Sequence, residues 1–308
     1  MKKFLWISVC LLCTHFFAEA QLPKVVAGRL IRIDSFPSQY MGARKIDIWL
    51  PSTYDGKTPH AVLYMHDGQM LFDSNTTWNK QDWRLDETLH QLMQEGKIRN
   101  TIVVGVWNGG ASRHVDYFPQ KPFESLPLAV QDTLYGKNRP SGASVFNGMR
   151  IRSDEYLKFL VKELKPYVDA QYVTKKDISN TFIAGSSMGG LISMYAICEY
   201  PDVFGGAACL STHWPGIFNN HMNPIPDAFI AYLQTNLPDK RKHKLYFDHG
   251  TTTLDSLYAI HQVRVDVLMR NKGWSKRNWM SRVFPGTDHS EKAWAARLDI
   301  PMMFLLSR

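Results

Sequence analysis

The chain has 308 residues, a formal net charge of +8 at pH 7 and 44% apolar residues, enough to bury one large core or two small ones. Its basic residues do not form one block. "PDKRKHK" at 238–244 is a single short cluster that fits a solvated loop, so composition argues against a nucleic-acid footprint and leaves a protein without nucleic-acid partners.

The chain opens MKKFLWISVCLLCTHFFAEAQ: two lysines, an apolar run from Phe4 to Phe17, and Ala18-Glu19-Ala20 ahead of Gln21. This is the three-part pattern of a secretory signal peptide cut after Ala20. The run contains His15 and is shorter than the roughly 20 residues that span a bilayer, so no stable membrane insertion is expected. Val9 and Leu12 precede Cys10 and Cys13, where a lipoprotein signal has a small residue. Residues 1–20 are therefore expected to be removed, leaving 21–308 as a single secreted or periplasmic domain with a formal charge of +7, since Lys2, Lys3 and Glu19 go with them. Cys198 and Cys209 remain, both in apolar stretches, and are expected as buried free thiols.

Short β-rich runs come first: 25–33, 44–51 with an alternating pattern, and "AVLYMH" at 61–66. Strand and helix then alternate, with short apolar strands expected at 101–107, 181–185, 206–211, 244–250 and 279–286. Between them lie helical periods at 153–172, with a stripe of Tyr156, Phe159, Leu160, Leu164 and Tyr167 opened by Ser153 as N-cap, and at 253–273, closed by Lys272-Gly273. The pattern predicts an α/β fold: about eight strands in a mainly parallel sheet with helices on both faces. Segment 109–150 lacks clear periodicity. A connection of that length is usually functional or mobile, and it is expected over the active-site face.

"IAGSSMGG" at 183–190 fits Gly-x-Ser-x-Gly with Gly185, Ser187 and Gly189, which makes Ser187 rather than Ser186 the candidate nucleophile. A strand that turns straight into a helix needs nearly bare flanking positions, and it lifts the serine hydroxyl above the sheet edge at a helix N-terminus. A serine needs a base and a group to orient that base. His289, in "FPGTDHSEKAW" after the last strand, sits where a base reaches back over the sheet edge. Two acids remain open. Asp255 could orient the histidine or merely close a Thr252-x-x-Asp255 capping box, and Asp248 ends the strand "KLYFD". Backbone N–H groups of Met188 and of the Gly68-Gln69 turn are candidate oxyanion donors. No cofactor is expected, and His66-Asp67 lacks the companions a metal site needs.

Together, "VLYMHDGQMLFD", "VVGVWNGGASRHVDYFP", "YLKFLVKELKPYVDAQY", "FIAGSSMGGLISMYA", "YFDHGTTTLD" and "DHSEKAWAARLDIPMMFLL" resemble the serine esterase family that includes esterase D, the enterochelin esterases, and the feruloyl and acetylxylan esterases of carbohydrate esterase family 1. The resemblance runs from about residue 25 to the C-terminus. It implies an α/β-hydrolase fold, cofactor-free ester hydrolysis and a triad at Ser187, His289 and Asp255, with Met188 and the Gly68/Gln69 turn at the oxyanion positions. Arg113 lies in an Arg-x-x-acid-Tyr-x-Pro segment, which suggests a pairing with Asp116 or a place on the substrate face. The chain departs from the family where Ser-Pro at the end of the sixth strand becomes Ser211-Thr212, followed by His213 and Trp214, further candidates for the substrate face. No N-terminal module of the kind many relatives carry is expected ahead of this domain. Secretion favours an acyl (acetyl or feruloyl) ester of a polysaccharide, with Trp78, Trp83, Trp107 or Trp214 available to stack on sugars. A siderophore esterase, an acyltransferase and a non-catalytic binding protein are the alternatives.

Overall fold

The structure, a computed structural model, describes residues 22–307. The expected signal peptide, 1–20, lies outside the described residues. Eight strands form one sheet: β1 (Arg29–Phe36), β2 (Arg44–Leu50), β3 (Ala61–His66), β4 (Thr101–Val106), β5 (Thr181–Ser186), β6 (Gly206–Leu210), β7 (Lys244–His249) and β8 (Trp279–Val283). Their order is β1-β2-β4-β3-β5-β6-β7-β8. The pairs β1/β2 and β2/β4 are antiparallel and all others parallel, the arrangement of an α/β-hydrolase sheet.

The apolar runs form central strands because both of their faces are covered. Val62 and Tyr64 of β3 enter one core, with Ile102, Val104 and Ile183; Leu63 and Met65 enter the other, with Val103, Phe182 and Ala184. Every residue of β3 to β6 is buried, whereas the edge strands β1 and β8 are partly exposed and carry Arg29, Arg32 and Arg282. β1 begins four residues later than the apolar pattern suggests and continues to Phe36. Cys198 and Cys209 are buried and free.

The helical period at 153–172 forms as three consecutive segments, Ser153–Lys158, Phe159–Leu164 and Lys165–Gln171, the middle one in wide π register. Ser153 is not its cap. It is the first helical residue, and its hydroxyl accepts the Gln120 N–H at 3.0 Å, a bond to segment 109–150 that no local pattern reveals. The 253–273 period starts as a 3-10 turn, Thr253–Leu257, and continues as helix Ala259–Asn271, followed by Gly273 at φ +73°. Segment 109–150 contains short helices, Arg113–Tyr117, Gln120–Glu124 and Leu128–Tyr135. Phe118, Phe123, Tyr135 and Phe146 knit them together with ring centroids 5.0–5.7 Å apart. This aromatic cluster explains how a segment without helical periodicity holds a shape.

Candidate active site

The turn at Ser187 follows from two glycines packed face to face. A Cβ on Gly185 would lie 2.9 Å from the Gly189 carbonyl carbon, and one on Gly189 would lie 3.3 Å from His66 Cβ, so side chains at either position would push the strand and helix apart. Ser187 itself adopts φ 58°, ψ −120°, a strained conformation for a residue with a side chain. Surrounding bonds hold it there: its N–H donates to Leu210 O at 2.9 Å, and its carbonyl accepts from Gly190 N at 3.0 Å and Leu191 N at 3.1 Å. Helix Met188–Glu199 starts at the next residue, so the Met188 N–H belongs to the first turn, which has no intrahelical acceptors.

His289 lies between β8 and helix Glu291–Ala295. Its Nδ1 is 2.5 Å from Asp255 Oδ1, its N–H donates to Thr253 Oγ1 at 2.9 Å, and its ring meets Trp294 and Tyr258 edge-on at 5.0 and 5.9 Å. With Nδ1 bound and the ring fixed by its neighbours, Nε2 is the nitrogen left for a proton from a substrate or nucleophile. Ser187 and His289 line the same two cavities.

Asp255 is fully buried. Its Oδ2 accepts the Gly250 N–H at 2.5 Å and the Ser211 hydroxyl at 2.6 Å. Burial by itself would raise its pKa, but the bonds from His289, Ser211 and Gly250 outweigh burial and hold the carboxyl below its ordinary value. The capping-box reading does not hold: Thr252 makes no side-chain cap bond, and the Asp255 carboxylate is spent on His289, Ser211 and Gly250.

Asp248, the alternative acid, is occupied elsewhere. Arg297 grips it at 3.0 Å through both Nε and Nη2, and Ser211 N and the Tyr246 hydroxyl supply its other donors at 3.0 and 2.9 Å. Ser211 joins the two acids: its hydroxyl donates to Asp255 while accepting from Trp294 Nε1 at 2.9 Å and Arg297 Nη2 at 3.0 Å. In the sequence Ser211 is only the serine of the family's Ser-Pro pair, with Thr212 in place of the proline, and nothing local assigns it this role. It stands just after β6 with a positive φ of 40°.

Across the cleft, Asp67 is left-handed at φ 57°, ψ 46° and leads into the Gly68–Met70 turn. Gly68 is packed so tightly on β4 that a Cβ would lie 2.6 Å from the Gly105 carbonyl carbon. Arg113 forks onto both Asp67 oxygens at 2.7 Å, and Asn108 Nδ2 adds a 2.7 Å bond. Burial pushes the Asp67 carboxyl up, but Arg113 and Asn108 bring it below its ordinary value. The suggested pairing of Arg113 with Asp116 is therefore corrected, because Asp116 is taken by Arg44 and Arg152 at 2.8 and 2.7 Å. His66 is buried, with Nδ1 on the Tyr156 hydroxyl at 2.8 Å, and burial lowers its pKa to about 3.

Two cavities meet at Ser187, His289 and Arg113. The larger, about 520 Å³, is lined by Gln69, Asn79, Gln81, Asn108, Glu291 and the tryptophans 78, 83 and 294. Trp78 is 82% exposed, while Trp83 is buried and packs against Trp294 at 5.4 Å. The smaller, about 350 Å³, is lined by Met188, His213 and residues of segment 109–150, which places that segment beside Ser187. Two of the expected stacking residues lie elsewhere. Trp214 is buried, bonded to Gln262 at 2.9 Å, and Trp107 bonds Asp47 at 2.7 Å beneath Arg32 and Lys45. Among the described residues, no cluster of His, Cys, Asp or Glu is placed to hold a metal ion.

A serine on a strained strand-to-helix turn, beside a histidine oriented by a buried carboxylate above the edge of a mainly parallel sheet, defines a serine hydrolase of the α/β-hydrolase fold. The family model described as "Putative esterase" matches residues 38–303, and the chain belongs to that family. Among curated proteins it is 24% identical over 177 residues to the uncharacterized protein YbbA of Bacillus subtilis, covering 56% of this chain and 58% of YbbA. Among solved structures it is similar to a ferulic acid esterase (TM-score 0.61, 18% identity, 90% of this chain and 98% of the other). The enterochelin esterase of Shigella flexneri gives a TM-score of 0.64 at 15% identity, covering 93% of this chain and 59% of that one. An IroE-like serine hydrolase from Shewanella oneidensis gives 0.60 at 18%, covering 90% and 79%.

Proposed function

We propose that this protein is an extracytoplasmic serine esterase that removes acyl groups, acetyl or feruloyl, from a polysaccharide through an acyl-enzyme. The observation that carries the mechanism is the fixed His289–Asp255 pair opening onto the cavities that Ser187 lines. Ser187 Oγ attacks the ester carbonyl and gives its proton to His289 Nε2; Asp255 holds the imidazole and balances its charge. We assign the N–H groups of Met188 and Gln69 as the donors to the developing oxyanion. The tetrahedral intermediate collapses, and the alcohol leaves with the proton from His289. Water then attacks the acyl carbon, passing its proton to His289, and the acid leaves as Ser187 recovers a proton.

The sugar half of the proposal rests on the larger cavity. Its side-chain amides at Gln69, Asn79, Gln81 and Asn108 match hydroxyl-rich ligands, and exposed Trp78 offers a flat apolar face at its rim. The coverage of nearly all of a ferulic acid esterase, against three fifths of an enterochelin esterase, supports the same choice. The N-terminal pattern at 1–20 supports export. The test is turnover of acetylated xylan, methyl ferulate and enterobactin side by side. Preference for either of the first two is the expected result; preference for enterobactin overturns the polysaccharide assignment.

A further inference from the structure

The smaller cavity differs in charge from the larger. Asp67 and Glu291 line the larger cavity, but no acidic residue lines the smaller one, where Arg113, Arg139, His114 and His213 gather around Ser187 and Met188. Arg113 is neutralised by Asp67. Arg139 is not: its guanidinium stacks on the Phe218 ring, 5.0 Å from the centroid, with no carboxylate partner among the described residues. His114 and His213 are 4% and 1% exposed, and the Nε2 of each is buried without a hydrogen-bond partner. Both nitrogens are closed off from solvent by the protein itself, so half-buried Arg139 is the cation on this wall without a carboxylate partner among the described residues. The Tyr258 hydroxyl lies 2.8 Å from His213 Nδ1. Burial first, and then its basic neighbours, push the His213 imidazole well below its ordinary pKa and keep it neutral.

From this geometry we propose that the smaller cavity is a subsite for a carboxylate carried by one half of the ester, with Arg139 as its counter-charge. The natural substrate is then an ester that includes an acid group, such as an acylated acidic sugar. This rests on the ester-hydrolase reading above. Arg139 suits the role because a guanidinium presents a planar fork to a carboxylate and is already ordered by its aromatic face.

The test compares kcat/KM within two matched pairs: 3-acetoxybenzoate against 3-acetoxybenzamide, with the charge on the leaving half, and monomethyl terephthalate against methyl 4-carbamoylbenzoate, with the charge on the acyl half. The wild type is expected to prefer the carboxylate of at least one pair. Arg139→Met lowers that preference about tenfold, the scale of one charge-assisted hydrogen bond. Arg139→Lys retains most of it, and Arg139→Glu reverses it. Each readout is a ratio within one protein sample, so a loss of folded protein cancels. Preference for the amide in both pairs, or a ratio unmoved by Arg139→Met and Arg139→Glu, overturns the proposal. If no ester is turned over, the hydrolase reading has failed, and calorimetric binding of isophthalate decides the subsite separately. Binding weakened by Arg139→Met supports it; no binding to the wild type overturns it.

Discussion

The two buried acids near the site predict opposite phenotypes, and the hydrogen bonds say which is which. In Asp255→Asn the amide must place its oxygen toward one neighbour and its NH2 toward another. The Oδ2 side faces the Gly250 N–H at 2.5 Å, a donor that cannot turn away, so the amide oxygen belongs there. The NH2 group then faces His289 Nδ1, which must become an acceptor, and the imidazole proton is pinned on Nε2. That histidine cannot take a proton from Ser187. Loss of the correct tautomer costs about 10⁴ in kcat, or about 5 kcal/mol of transition-state stabilisation. The swap is isosteric, so the fold survives. Asp248→Ala should do the reverse. It leaves Arg297 charged and unpaired in the interior and removes the acceptor of the Ser211 N–H and the Tyr246 hydroxyl, a loss of about 3–5 kcal/mol in folding free energy. The assays are kcat on 4-nitrophenyl acetate and urea unfolding for both variants. The reasoning is refuted if Asp255→Asn stays within tenfold of wild-type kcat while Asp248→Ala remains as stable as the wild type and loses turnover.

Gly185→Ala should destabilise the protein by about 1–3 kcal/mol, because its Cβ would lie 2.9 Å from the Gly189 backbone; a denaturation midpoint equal to the wild type would contradict the packing argument. Trp78→Ala should leave stability within about 0.5 kcal/mol, since the ring is 82% exposed, yet raise KM for a polymeric substrate more than for 4-nitrophenyl acetate. Equal effects on both substrates would remove Trp78 from the sugar-binding face. Asp86 is buried beside Glu87, and burial first, then Glu87, pushes its pKa up to about 7, although the Val26 N–H bond opposes the rise. A carboxyl with a raised folded pKa contributes most below its unfolded value near 4, and that contribution is lost as pH climbs toward 7. Asp86→Asn should therefore stabilise the protein relative to wild type more at pH 8 than at pH 4. Thermal midpoints at the two pH values check the sign.

The eight strands were legible because each central one is a short apolar run buried on both faces, a property of the residues themselves. The turn at Ser187 was legible for a similar reason: bare positions 185 and 189 report the close approach of strand and helix before any coordinates are known. The features missed depend on partners distant in sequence. Ser153 bonds residue 120 instead of its own helix. Arg113 reaches back 46 residues to Asp67, past the nearer Asp116 that Arg44 and Arg152 already hold. Asp255 could not be separated from a helix cap by local pattern, since the contest between Thr252 and Ser211 is settled only when β6 and β7 lie side by side. His213 and Trp214 are adjacent in the chain but part company, one lining a cavity and the other filling the core. Helices 113–135 form on an aromatic cluster assembled from separated residues, which gives no single period to read.

The most direct test of the account is the hydrolysis of 4-nitrophenyl acetate by the protein and by Ser187→Ala. Turnover by the wild type that falls by at least about 10⁴ in the variant is the predicted result. Equal turnover by the two proteins would contradict it and place the nucleophile elsewhere.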